Sequence, residues 1–505
     1  MQSRSKQAIK NVMANIMYQL VAAVCGLIIP KLILETFGSA INGLSSSITQ
    51  FITYLTLVEM GISQASTIAL YKPIAENNRN DINATMSSVK RYYINTGLYF
   101  LALLIVMVFV YPSFVKDDIS VITIRLLVII LALTYCMDYF LIGKYKVLLM
   151  ADQRAYVSTA FQIFGTILST ILCICFLYKG ESIVIVKFSL IIGYIVRYIL
   201  IKIYVKKRYS YLNFKVPARK GAIKQRKDIL IHQISSLVVN NTDVGILTIV
   251  SSTLSEVSVY NIFNMVGLIL SNLLSSLSSS LSAGIGQIIA LKDYVALKNV
   301  YSNFEYIYQV ITFWLYSCMG ILIMPFIAWY TKSIVDVNYY RELVGLLFAI
   351  KGITTSVRIP IATIVNSRGD FKQTRNQAIL ESVINISVSL VLVFSLGIIG
   401  VLIGTIVSNV YRTIHVYYYC YKKIIAFDIR KTINRLIRNT TCALVTYLLL
   451  YKVITGITMS NFIIFFGYAA FVTIVTFFLF FVVNLLTEFV EMKNFISRVF
   501  HAIRH

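Results

Sequence analysis

Fourteen apolar stretches, at 14–34, 41–70, 92–111, 121–141, 155–177, 183–201, 231–252, 258–286, 304–329, 343–365, 376–395, 397–418, 440–457 and 461–486, take up most of this chain. A run of about 20 apolar residues crosses a bilayer as a helix, because lipid offers no hydrogen-bond partner to an exposed peptide group. The mean hydropathy of +0.77 fits that reading. The expected fold class is therefore all-α: a polytopic membrane protein with about 14 transmembrane helices. Two stretches, 41–70 and 258–286, exceed 25 residues and are expected to tilt or to emerge from the membrane. The remaining length of the 505-residue chain is too short for a separate catalytic domain.

Lys and Arg set the expected orientation. Of 46, 34 fall in the two ends and in alternate gaps (71–91, 142–154, 202–229, 287–303, 366–375 and 419–439), and six fall in the opposite gaps. Basic residues stay at the cytoplasmic leaflet, so both termini are expected to be cytoplasmic. The +25 formal charge is explained the same way, by loops held at anionic lipid, and no nucleic-acid partner is expected. Arg4, Lys6 and Lys10 precede a first span without a small-residue cleavage site and are read as flanking an uncleaved helix.

The ten-charge segment 202–229 includes Lys206-Lys207-Arg208, Arg219-Lys220 and Arg226-Lys227. It divides the chain into residues 1–201, an N-terminal six-helix lobe, and 230–418, a C-terminal six-helix lobe. Residues 419–505 add a linker, two further transmembrane helices and a cytoplasmic tail. This segment is a solvated connector or a site for a polyanionic headgroup. Ala151-Asp152-Gln153-Arg154 and Gly369-Asp370-Phe371-Lys372 stand 218 residues apart, each before a helix pair, and suggest two copies of one six-helix unit. Transporters are commonly built from such halves.

No enzyme signature emerges: four scattered His residues make no metal site, and there is no nucleotide-binding glycine loop. The seven Cys residues lack metal-ligand spacing, and no cofactor is expected.

Ionisable groups at membrane depth normally face a protein interior or a wet cavity, and so point to function. Asp243, in Asn240-Asn241-Thr242-Asp243, lies mid-span and either carries a coupling cation or locks helix packing. Glu59, beside Gly61, is a second candidate for ion coupling, and Asp138 is either functional or interfacial. Arg358, before Pro360, suits phosphate oxygens through its paired donors, and Lys351 lies two helical turns earlier on nearly the same face. Arg125, Arg197 and Lys31 either line a substrate cavity or snorkel to an interface. Asn15 and Gln19 offer uncharged polarity for sugar hydroxyls or for interhelical hydrogen bonds.

The chain resembles the bacterial polysaccharide-transporter branch, the O-antigen or capsular repeat-unit flippases, of the multidrug/oligosaccharidyl-lipid/polysaccharide flippase superfamily. The resemblance rests on Asn241-Thr242-Asp243-Val244 with Val259-Tyr260-Asn261, on Ala283-Gly284-Ile285-Gly286-Gln287, on Asn366-Ser367-Arg368-Gly369-Asp370-Phe371-Lys372 followed by Glu381-Ser382-Val383-Ile384-Asn385, and on Gly397-Ile398-Ile399-Gly400-Val401-Leu402-Ile403-Gly404-Thr405. It implies two helix lobes around a partly cationic cavity in the bacterial inner membrane. It also implies alternating access that carries undecaprenyl-diphosphate-linked oligosaccharides from the cytoplasmic to the periplasmic leaflet. Proton or sodium coupling, membrane lipids as surroundings, and a polysaccharide polymerase and chain-length regulator as partners complete the expectation. The competing expectations are a cation-coupled drug or metabolite antiporter on the same scaffold and a non-transporting scaffold for a glycan-synthesis complex.

Overall fold

The computed structural model describes residues 4–59, 61–217, 227–425, 429–455 and 462–489. Arg219, Lys220 and Arg226 of the basic linker and the C-terminal tail lie outside the described residues. All regular structure among the described residues is helical. Eleven helices there are long and apolar enough to cross a membrane. Many large apolar side chains on them face outward, among them Ile122, Val391, Phe394 and Phe478. Lipid is the solvent that tolerates such a surface. The chain is a multi-pass membrane protein.

The helices fall into two compact units. The first comprises Met1–Leu237 and Thr248–Ser258. It contains α1 (Arg4–Leu55), α2 (Ile62–Ala75), α3 (Arg79–Val110), α4 (Val121–Met137), α5 (Gly143–Ala151), α6 (Ala155–Tyr178), α7 (Ile183–Arg208) and the start and end of α8 (Lys227–Val250). The second comprises Val238–Leu247 and Val259–His505. It contains the middle of α8, most of α9 (Ser255–Ala290), then α10 (Tyr294–Tyr330), α11 (Glu342–Ser356), α12 (Ile359–Arg368), α13 (Phe371–Leu396), α14 (Ile398–Lys423), α15 (Ile429–Thr455) and α16 (Phe462–Thr487).

The first two expected spans meet at Gly38, whose φ of 81° and ψ of 177° are non-helical, open to glycine and strained for other residues; a helix on each side of this kink makes up α1. The second stretch then stops short of residue 70. Thr49, Thr53 and Thr56 turn their hydroxyls onto the carbonyls of Ser45, Thr49 and Thr53, at 2.8, 2.9 and 2.7 Å. Such back-bonding competes with the helix ladder. The backbone tightens to a 3₁₀ turn at Thr56–Glu59, and Gly61, at φ 83°, starts α2 in a new direction. Stretches 231–252 and 440–457 lie on α8 and α15, which are not among the eleven strongly apolar helices. The polar run around Asp243 in α8 and Arg430, Lys431, Arg435 and Arg438 in α15 account for that.

Packing inside each unit follows close helix approach. In the first, Gly165 of α6 and Gly193 of α7 face each other so closely that a Cβ on either would lie within 2.8 Å of the other's carbonyl oxygen. Tyr111 donates to Ser47 at 2.7 Å and packs edge-on to Phe51. In the second, α13 and α14 form a hairpin turned at Gly397, and a Cβ on Gly400 would sit 2.4 Å from the Leu392 carbonyl oxygen. Phe313 of α10 joins Val357, Cys442 of α15 and Phe480 of α16 in one buried cluster, so the last two helices are fastened to α10.

Candidate functional site

The break between α1 and α2 opens a cavity of about 800 Å³ in the first unit. Thr56, Glu59, Ser63, Gln64, Thr67 and Gln233 supply its polar lining. Tyr71 and Met150 also line it, next to the basic gaps 71–91 and 142–154. Among the described residues that line it, Glu59 is the charged one and none is Lys or Arg. Its carboxylate accepts a long hydrogen bond, 3.3 Å, from the Tyr93 hydroxyl. The Oε1 of Gln233 is buried without a hydrogen-bond partner. A Cβ on Gly61 would stand 3.3 Å from Leu230 and 3.8 Å from Gln233, so this glycine keeps the wall open.

In the second unit Asp243 is 1% exposed and fully engaged. Oδ2 accepts from the Tyr260 hydroxyl at 2.7 Å and from Lys351 Nζ at 2.9 Å, and Oδ1 accepts from Thr405 at 2.8 Å. Lys351 also donates to Tyr260 at 2.6 Å and lies over the Phe348 ring. Asn385 extends the network, donating to Thr405 at 3.1 Å, and Asn409 donates to Thr355 at 2.9 Å. The run containing Asp243, the helix containing Lys351 and the hairpin containing Thr405 thus meet at one carboxylate. A buried charge is tolerable when it is paired and its lone pairs are filled, which is the case here.

Arg358 is placed differently. A turn at Val357–Arg358 separates α11 from α12, and Arg358 donates to Glu381 of α13 rather than joining Lys351. The other oxygen of Glu381 lies 3.5 Å from Arg412 of α14, which also donates to the Thr374 carbonyl at 3.2 Å. Two arginines therefore share one buried carboxylate.

The remaining candidates are dispersed over the first unit. Arg125 lies over the Phe109 ring at 5.3 Å, and its Nε has no hydrogen-bond partner. Arg197 is buried beside the Gly165–Gly193 contact and lies 5.7 Å from the Tyr194 ring centre. On α1, Asn15 is exposed, while Gln19 and Lys31 are half-buried. None of these five lines the cavity that Glu59 lines. Asp138 begins a π-helical turn that ends at Ile142, and its Oδ1 is buried without a partner.

One charged network escaped the sequence reading. Arg435, 1% exposed, bridges Glu305 at 3.1 Å and Glu488 at 2.7 Å, and Arg438 reaches Glu488 at 2.9 Å. Tyr301, Tyr417 and Thr432 also donate to Glu305. Burial alone would raise the Glu488 carboxyl; Arg435 and Arg438 outweigh it and hold the group below the usual range. Glu305 opens an apolar stretch, which was the available signal, but the count of Lys and Arg passed over the acids.

No family model and no curated protein sequence matches the chain. Solved structures do. A lipid II flippase, MurJ, in an inward closed conformation, aligns with a TM-score of 0.62 at 15% identity, covering 94% of this chain and 98% of that one. An inward-facing multidrug resistance MATE family transporter of the MOP superfamily aligns at 0.61 and 14% identity, covering 83% and 98%. An outward-facing MATE transporter of that superfamily aligns at 0.55 and 13%, covering 83% and 96%. At these identities the likeness establishes the fold: this chain folds as MOP-superfamily transporters do.

Proposed function

We propose that this protein is a flippase that carries undecaprenyl-diphosphate-linked oligosaccharide units from the cytoplasmic to the periplasmic leaflet of a bacterial inner membrane by alternating access. The observation that carries the reading is the hydroxyl- and amide-lined cavity at the broken α1–α2 junction. Its Tyr71 and Met150 side adjoins two gaps that the charge distribution assigns to the cytoplasm, where such a lipid is assembled. Polar side chains there replace the water stripped from a sugar headgroup, whose bare transfer into hydrocarbon would be prohibitive. In the share of the chain that aligns, the fold is more like MurJ, at 94%, than the MATE transporters, at 83%. The extra share is comparable with the 27 and 26 residues of α15 and α16.

Coupling to H⁺ or Na⁺ falls to Asp243 in this scheme. An arriving cation displaces the Lys351 ammonium from the carboxylate, and the Tyr260 hydroxyl oxygen, which accepts from Lys351, is freed as a further oxygen ligand. Arg358, Arg125, Arg197 and Lys31 stay candidates for the diphosphate, and Asn15 and Gln19 for sugar hydroxyls. A polymerase and a chain-length regulator are the partners that would consume the flipped product.

A second reading is favoured by one observation. Glu59 is the charged residue of the cavity wall, which suits a cationic drug or metabolite exchanged for an ion. Transport assays with both substrate classes separate the two. Movement of a polyprenyl-diphosphate oligosaccharide supports the flippase; gradient-driven export of a lipid-free organic cation alone supports the antiporter. A protein that moves neither, yet assembles with glycan-synthesis enzymes, is a scaffold.

A further inference from the structure

We infer that the cavity selects a saccharide bearing a free primary amine, with the Glu59 carboxylate and the Gln233 carbonyl as its acceptors; this rests on the flippase reading. Three features of the cavity point the same way. Among the described residues its wall has one formal charge, negative, and no cation lines it; Asp138 and Lys146, outside the lining, act on Glu59 with opposite signs. The Glu59 carboxylate accepts one long hydrogen bond, from Tyr93 at 3.3 Å. Gln233 contributes a second acceptor, Oε1, that has no donor within reach. The cavity thus has an excess of acceptors and a deficit of positive charge. An ammonium, with three donors and no acceptor, supplies both. A phosphate or uronate in the same place would face Glu59 with no cation among the described lining residues to balance it, so the acidic part of the lipid-linked substrate belongs elsewhere. Thr56, Ser63, Gln64 and Thr67 remain for neutral ring hydroxyls. N-acetylation removes the charge and two of the donors, so a site built for the amine rejects the acetylated twin.

The test uses two radiolabelled probes, a polyprenyl-diphosphate disaccharide with one free amino group and its N-acetylated twin. Both are titrated against the full chain in nanodiscs. The wild type is expected to bind the amine at least tenfold more tightly, Glu59→Asp to keep the preference, and Glu59→Gln to bring the ratio near one. Equal binding of the twins by the wild type, or an undiminished preference in Glu59→Gln, overturns the inference and leaves the flippase reading standing. Binding of neither twin, alongside Glu59-dependent binding of tetraphenylphosphonium, overturns both.

Discussion

Lys351 holds its ammonium nitrogen 2.9 Å from Oδ2 of Asp243, joining α11 to the polar run of α8 at a carboxylate that is 1% exposed. Removing one partner strands the other charge in the protein interior, at a cost of about 3–5 kcal/mol. Asp243→Asn and Lys351→Met should each lower the midpoint of thermal unfolding, and the double variant should recover part of the loss. A thermal scan of all three in detergent gives the coupling directly. If Asp243 takes the coupling cation, Lys351→Met should also make the midpoint rise more steeply with Na⁺ than it does in the wild type.

Glu381 serves two arginines, Arg358 and Arg412. Its neutralisation leaves two cations unmatched, whereas loss of either arginine leaves the carboxylate with one. Glu381→Gln should therefore destabilise more than Arg358→Gln or Arg412→Gln, by a margin on the order of 1–2 kcal/mol. Folded yield after membrane extraction and thermal midpoints of the three variants check the order.

The tie between α15 and Glu488, just past the end of α16, should be acid-sensitive. Glu488 is held below the usual carboxylate range when folded, so its stabilisation is fully present above the unfolded value and is lost as pH falls through the folded value. The unfolding midpoint should drop below about pH 4, and Glu488→Gln should flatten that part of the profile while lowering stability at neutral pH.

Gly61 carries φ 83°, and a Cβ there would meet Leu230 at 3.3 Å. Gly61→Ala should lose on the order of 1–3 kcal/mol through backbone strain and narrow the cavity. Substrate binding should then weaken more than thermal stability alone accounts for, as paired titrations and thermal scans would register.

Much of the helical order was legible because lipid leaves a spanning segment few alternatives. The hairpin at Ser395–Gly400 is an instance: its glycines marked the turn, and the structure turns at Gly397. The echo of Asp152 and Asp370 also has a counterpart. Tyr209, beyond α7, donates to Asp152 at 2.6 Å, and Tyr419, late in α14, donates to Asp370 at 3.0 Å, with Arg154 and Arg368 beside the respective carboxylates. The site was less legible. Asp243 stood out as a charge in an apolar run, but its pairing with Lys351, 108 residues away, depends on how α8 and α11 pack. Spacing along one helix suggested that Lys351 and Arg358 share a face, yet α8 and α13 bring them different carboxylates. The break at Thr56–Gly61 was read as part of one long span, because apolar content registers no difference between a straight helix and one loosened by threonine hydroxyls.

Translocation in proteoliposomes tests the central claim most directly. The full chain is reconstituted with undecaprenyl-diphosphate oligosaccharides on one leaflet, and their appearance on the other is followed with and without imposed H⁺ or Na⁺ gradients. The account predicts protein-dependent exposure of the oligosaccharide, diminished in Glu59→Gln and Asp243→Asn. No exposure across neutral, amino-bearing and acidic headgroups, from folded protein that exports organic cations, would contradict it.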